Sequence, residues 1–138
     1  MKYVVAIPMF AYLLIAYLIV SMGAEPSTLN DTVAEFGLFS GARFQLTTNG
    51  IFLILGTVAL FIEMVKATNT GGTSVLDHIL STLIFIAFLV IFLTVKSTGS
   101  EAFFILTLMS LVDVTAGFTI TIASARRDIG LDHHIAGE

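Results

Sequence analysis

The chain has 138 residues, of which 57% are hydrophobic and 12% charged, and its mean hydropathy is +1.00. Soluble domains carry about a quarter charged residues, so this composition argues against an ordinary soluble fold and for an integral membrane protein. The net charge of −4 comes from the connections and the C-terminal tail, with no basic patch for nucleic acid, and the absence of cysteine excludes disulfide and thiolate chemistry.

The first apolar run, Tyr3–Met22, has a signal-peptide-like start: a Lys, then apolar residues, then Ser21 and Gly23. Its length of about 20 residues exceeds the usual apolar region of roughly 7–15, so it is read as a retained first membrane helix. A longer connection follows, "GAEPSTLNDTVAEFGLFSGARFQ". Within it Leu29, Val33 and Phe36 recur at helical spacing, Thr32 with Glu35 fits a capping box, and Gly37 fits a helix stop. Two readings fit: a short amphipathic helix on the outer interface, or an irregular loop with buried Phe residues.

Three more apolar segments follow: Leu46–Val65, Leu76–Val95 and Ala102–Ala123. At 1.5 Å per residue each spans about 30 Å of hydrocarbon. They do not alternate polar with apolar as barrel strands do, and helices satisfy their own backbone in lipid. The expected fold is one all-α domain over residues 1–138, with four transmembrane helices and a polar tail over 124–138. If the N-terminus is inside, Lys2, Lys66, Arg126 and Arg127 are inner and Arg43 and Lys96 outer. That bias predicts cytoplasmic termini in a multi-pass protein of the cell inner membrane.

Polar residues inside the spans mark the candidate site. The fourth span carries one carboxylate, Asp113, in the otherwise uncharged "TLMSLVDVTAGFTITI". Counting from the helix ends puts Asp113 near mid-depth, level with Tyr12 of the first span and Gly56 and Thr57 of the second. An ionised, unpaired Asp there costs about 2.5–3.5 kcal/mol on insertion scales. The expectation is that it points at helices 1 and 2, with the hydroxyl of Tyr12 or Thr57 as its partner. Thr107, Ser110, Asp113, Gly117, Thr121 and Ser124 recur at three- and four-residue steps and form one polar stripe. Asn49, Gly56 and Glu63, with Ala59 beside them, form a narrow face on helix 2. Helix 3, through "LIFIAFLVIFL", is expected to face lipid or an apolar subunit. The stripe has two readings: a packing device of small and hydroxyl residues, or the lining of a proton or cation path.

A second constellation collects at the inner surface: Glu63, Asp77, His78, Arg126 and Arg127, with Asp132, His133 and His134 in the tail. A helix-end salt bridge from Glu63 to Arg126, Arg127 or Lys66 is the plain expectation. The His and carboxylate spacing matches no metal-ligand pattern, and His78 has no second membrane His to oppose it across a haem, so no metal or cofactor is expected. No P-loop, nucleophile elbow or triad-like set occurs, which argues against an enzyme. Two functions remain. One is a non-enzymatic accessory or interaction subunit of a larger membrane complex, partnered by lipid and by other subunits or itself. The other is a small proton- or cation-coupled transporter or channel, working as a homo-oligomer with Asp113 in the path.

Overall fold

The computed structural model describes residues 7–23, 28–68 and 74–135, without the side chains of 74, 75, 124, 125 and 127–135. Four helices carry the chain: α1 (Met9–Gly23), α2 (Thr48–Ala67), α3 (Ser74–Thr94) and α4 (Glu101–Ile135). A two-stranded antiparallel hairpin, β1 (Thr32–Gly37) and β2 (Arg43–Thr47), stands between α1 and α2, and a 3-10 turn (Lys96–Thr98) joins α3 to α4.

Local chemistry sets the boundaries. Pro8, which lacks an N–H, precedes the first residue of α1, where no intrahelical partner is needed. Thr47 caps α2, its hydroxyl accepting from the Gly50 N–H at 3.1 Å. Ser100 caps α4 in the same way, accepting from the Phe103 N–H at 3.1 Å, and Glu101 sits in the first turn, where a negative charge suits the helix dipole.

Among the described residues, three helical stretches are long and apolar enough to cross a membrane: Thr48–Ala67, Leu76–Thr94 and Glu101–Ala123. α1 has 15 residues, about 22 Å at 1.5 Å each, short of a full span; of the expected first helix, Ile7 and Pro8 are not helical and residues 3–6 lie outside the described residues. Large apolar side chains such as Ile54, Phe61, Leu83 and Leu93 are exposed along the helices. A continuous apolar exterior of this kind suits lipid rather than water.

The core is aromatic. Phe10 and Tyr17 of α1, Phe52 of α2, Phe88 of α3, and Phe103 and Leu106 of α4 are buried together. Tyr17 meets the rings of Phe52 and Phe103, each at 4.9 Å between centroids, and Phe88 meets Phe103 at 5.3 Å. Edge and offset ring pairs of this type contribute about 0.5–1.5 kcal/mol each beyond area burial. Gly56 brings α2 close to α4, since a Cβ there would lie 2.5 Å from Leu106 Cδ2. Small residues allow this backbone approach between membrane helices.

One expectation about the elements is corrected. The first connection forms a hairpin and not an amphipathic helix. Ala34 pairs with Leu46, Glu35 with Gln45 and Phe36 with Phe44, and the Phe36 and Phe44 rings stack at 6.5 Å. Gly41, at φ +83°, closes the turn, with its N–H donating to the Leu38 carbonyl at 2.9 Å. That is a hairpin loop that requires a left-handed residue. The polar tail is helical as far as Ile135, continuing α4 without a break; between Ala123 and Ile135 only Gly130 opposes a helix, at a cost of about 1 kcal/mol. On α3, Leu83, Ile86, Leu89, Val90 and Leu93 are exposed, while His78, Ser81 and Phe88 are buried.

Candidate functional site

Asp113 is 7% exposed and borders a cavity of about 20 Å³, lined also by Glu63, Lys66, Ala67, Asp77, His78, Ser81 and Gly117. The cavity has room for one water molecule. α2 supplies Glu63 and Lys66, α3 supplies Asp77, His78 and Ser81, and α4 supplies Asp113 and Gly117. Asp113 and Gly117 of the intramembrane stripe therefore share one site with Glu63, Asp77 and His78 of the inner-surface group.

Glu63 ties two helices together. Its Oε1 accepts the Met9 N–H at 2.6 Å, which satisfies an otherwise orphaned donor at the start of α1. Its Oε2 accepts from Lys66 Nζ at 3.2 Å. This carboxylate is buried, with side-chain exposure of 6% against 22% for Lys66. An ion pair so enclosed is costly to break from one side.

Ser81 of α3 and Asp113 of α4 line the cavity together, with Glu63 and Lys66 on its α2 side. Asp77 Oδ1 is buried without a hydrogen-bond partner among the described residues. Counted as charges, the site brings three carboxylates and one ammonium together beside an imidazole.

His78 is held on three sides. Its ring lies over Gly117, where a Cβ would come within 2.7 Å of Cε1 and 2.8 Å of Nδ1. It stacks on Phe118 with centroids 5.1 Å apart, and its Nε2 meets Thr121 Oγ1 at 2.6 Å. Gly117 thus leaves the space that the imidazole fills, and Thr121 sits one turn further along α4 to bond it.

The expected hydroxyl partners of Asp113 lie elsewhere. Tyr12 is 48% exposed on the outside of α1, and Thr57 is exposed with its hydroxyl donating to the Leu53 carbonyl at 2.9 Å. Depth counted from the ends of apolar runs misplaces Asp113. It stands level with Glu63, and Glu63 is four residues, about 6 Å, from the end of α2. Asp113 also faces α2 and α3, not α1 and α2. Ser110 is buried but donates to the Thr107 carbonyl of its own helix at 2.7 Å. Arg126 is exposed and does not line the cavity, and the side chains of Arg127, Asp132, His133 and His134 lie outside the described set.

Asn49 belongs to a second polar group, 14 residues, or about 20 Å, along α2 from Glu63. There the Tyr17 hydroxyl donates to Asn49 Oδ1 at 3.1 Å and meets Ser100 Oγ at 2.7 Å, while Asn49 Nδ2 donates to Asn30 Oδ1 at 2.9 Å. Asn30, Asn49 and Ser100 of this group also line a pocket of about 480 Å³ at that end of the bundle. Tyr17, Ser100 and Ser81 are the participants that the sequence does not single out. Ser81 alone carried a usable signal, one helical turn after Asp77-His78.

Fold and site together define a helical protein with three helices able to cross a membrane and an ionisable pocket between them. Among the described residues no three His, Asp or Glu side chains converge as metal ligands would. Comparison with protein-family models, with curated proteins and with solved structures gives no match.

Proposed function

We propose that this protein is a small multi-pass membrane protein that takes up and passes on protons at the pocket between α2, α3 and α4. The observation that carries the proposal is the meeting of Asp113, Glu63, Asp77, Lys66 and His78 around one water-sized cavity. Ionisable groups inside membrane spans are expensive and mark ion and proton pathways. Carboxylates, an imidazole and an ammonium that line one cavity can exchange protons through water held in it. A proton suits the pocket better than a caged cation, because the oxygen ligands do not converge.

The accessory-subunit reading is supported by a different observation. Buried Phe88, Phe103 and Leu106 fill the bundle between the cavity and the Tyr17–Asn49–Ser100 group. Among the described residues, one chain therefore encloses no polar path from end to end. A complete path needs a second copy or a partner subunit, at which the pocket would serve as one station.

Purified protein reconstituted into liposomes, with a pH-sensitive dye inside and an imposed proton gradient, tests the proposal. Dye-reported flux above that of protein-free liposomes supports proton handling. Absence of flux, together with a membrane partner that co-purifies in mild detergent, favours the accessory role.

A further inference from the structure

The hairpin has one apolar and one polar face. Ala34 pairs with Leu46 and Phe36 with Phe44, which sets these four side chains on one side; Glu35 opposite Gln45, and Gly37 opposite Arg43, occupy the other. Phe36 and Phe44 are both about half exposed, and the turn adds exposed Leu38 and a fully exposed Phe39. On the polar face Arg43 pairs with Glu35 at 3.1 Å, so the hairpin's two charged side chains neutralise each other. A two-stranded hairpin is marginal in water by itself, and its apolar face has no covering element among the described residues.

We propose that this hairpin is an interfacial anchor that lies in the lipid headgroup layer, its apolar face and Phe39 turned toward the acyl chains. Its attachment favours this occupant. β2 ends at Thr47 and α2 begins at Thr48, with no linker, so the hairpin starts at the end of a membrane-length helix. The base is fixed by the Thr48 N–H to the Asp31 carbonyl at 3.3 Å and the Asn49 N–H to the Leu29 carbonyl at 2.9 Å. Leu46, on the apolar face, folds back onto the first turn of α2, 3.4 Å from where a Gly50 Cβ would stand. The apolar face thus rests at its base on the first turn of a membrane-length helix. Depth is limited in turn by the unpaired outer edges of both strands, which need water or headgroups and cannot enter hydrocarbon. Burying one apolar face beside a neutral polar face is the arrangement of an amphipathic surface segment. This inference rests on the membrane-spanning reading of the helices and not on the ionisable pocket.

The chain contains no tryptophan, so Phe39→Trp places a single indole at the hairpin tip, and Phe61→Trp, at a 68% exposed position on α2, serves as a reference within the span. Each variant is reconstituted into phosphatidylcholine vesicles carrying lipids brominated either near the headgroup or near the end of the acyl chain. The expected result is stronger quenching of Phe39→Trp by the shallow bromine than by the deep one, and the reverse order for Phe61→Trp. A Phe39→Trp emission that neither lipid quenches but aqueous iodide does, with Phe61→Trp still quenched by lipid, overturns the anchor while leaving the spans intact. Loss of lipid quenching at both positions overturns the anchor and the membrane reading together.

Discussion

Replacing Gly117 by alanine tests how the imidazole of His78 is held. The new methyl would stand 2.7 Å from Cε1 and 2.8 Å from Nδ1. Carbon contacts settle at about 3.5–4.0 Å, so the ring must withdraw by about 1 Å. Withdrawal lengthens the 2.6 Å contact with Thr121 and disturbs the stack on Phe118. Overpacking costs about 1–3 kcal/mol and a lost hydrogen bond about 0.5–1.5, while alanine in place of glycine in a helix returns about 1. The net expectation is a loss of about 1–3 kcal/mol. Denaturation in detergent, followed by circular dichroism, reads the change. In a His78→Ala background the clash is absent and only the helix gain remains, so Gly117→Ala should there stabilise by about 1 kcal/mol. A Gly117→Ala variant that is more stable than the parent with His78 present would refute the placement of the ring on Gly117.

Lys66→Met should destabilise more than Glu63→Gln: it removes the site's one ammonium and leaves three carboxylates facing each other, at about 3 kcal/mol for breaking an enclosed pair, whereas glutamine still accepts from the Met9 N–H; equal losses in detergent unfolding would contradict this. Tyr17→Phe should cost about 1 kcal/mol, because Asn49 and Ser100 lose a shared partner in a buried place, and a neutral effect would mean that the group does not brace the bundle. For topology, single cysteines at Ser27 and Ser124 can be probed with an impermeant maleimide in intact cells. The Lys/Arg bias predicts labelling at position 27 and protection at 124, and the opposite pattern would invert the chain.

Sequence reasoning reached the helices because long uncharged apolar runs leave the backbone few choices, and it reached the acids because a carboxylate in such a run stands out. It missed the hairpin. The helical spacing of Leu29, Val33 and Phe36 competes with a period-two pattern in Ala34–Gly37 and Arg43–Leu46, and the Phe36–Phe44 cross-strand pair decides for the sheet. The partners of Asp113 were missed for another reason. Depth counted along one helix assumes helices in register, yet α4 continues 12 residues beyond Ala123. Which neighbour a face meets is a tertiary fact: α3 looks uniformly apolar through its middle, and only its first turns, at Asp77, His78 and Ser81, turn polar groups inward.

The central claim is that Asp113 is the working carboxylate of a proton-handling pocket. The most direct measurement compares proton flux in liposomes for the parent protein, Asp113→Asn and Thr57→Val, all reconstituted to equal density and checked for helix content. Asparagine keeps the shape of Asp113 and its place beside Ser81, but it cannot carry a proton. The account predicts flux in the parent, unchanged flux in Thr57→Val, whose hydroxyl only bonds its own helix, and flux at the protein-free level in Asp113→Asn. Flux that survives Asp113→Asn unchanged would contradict it.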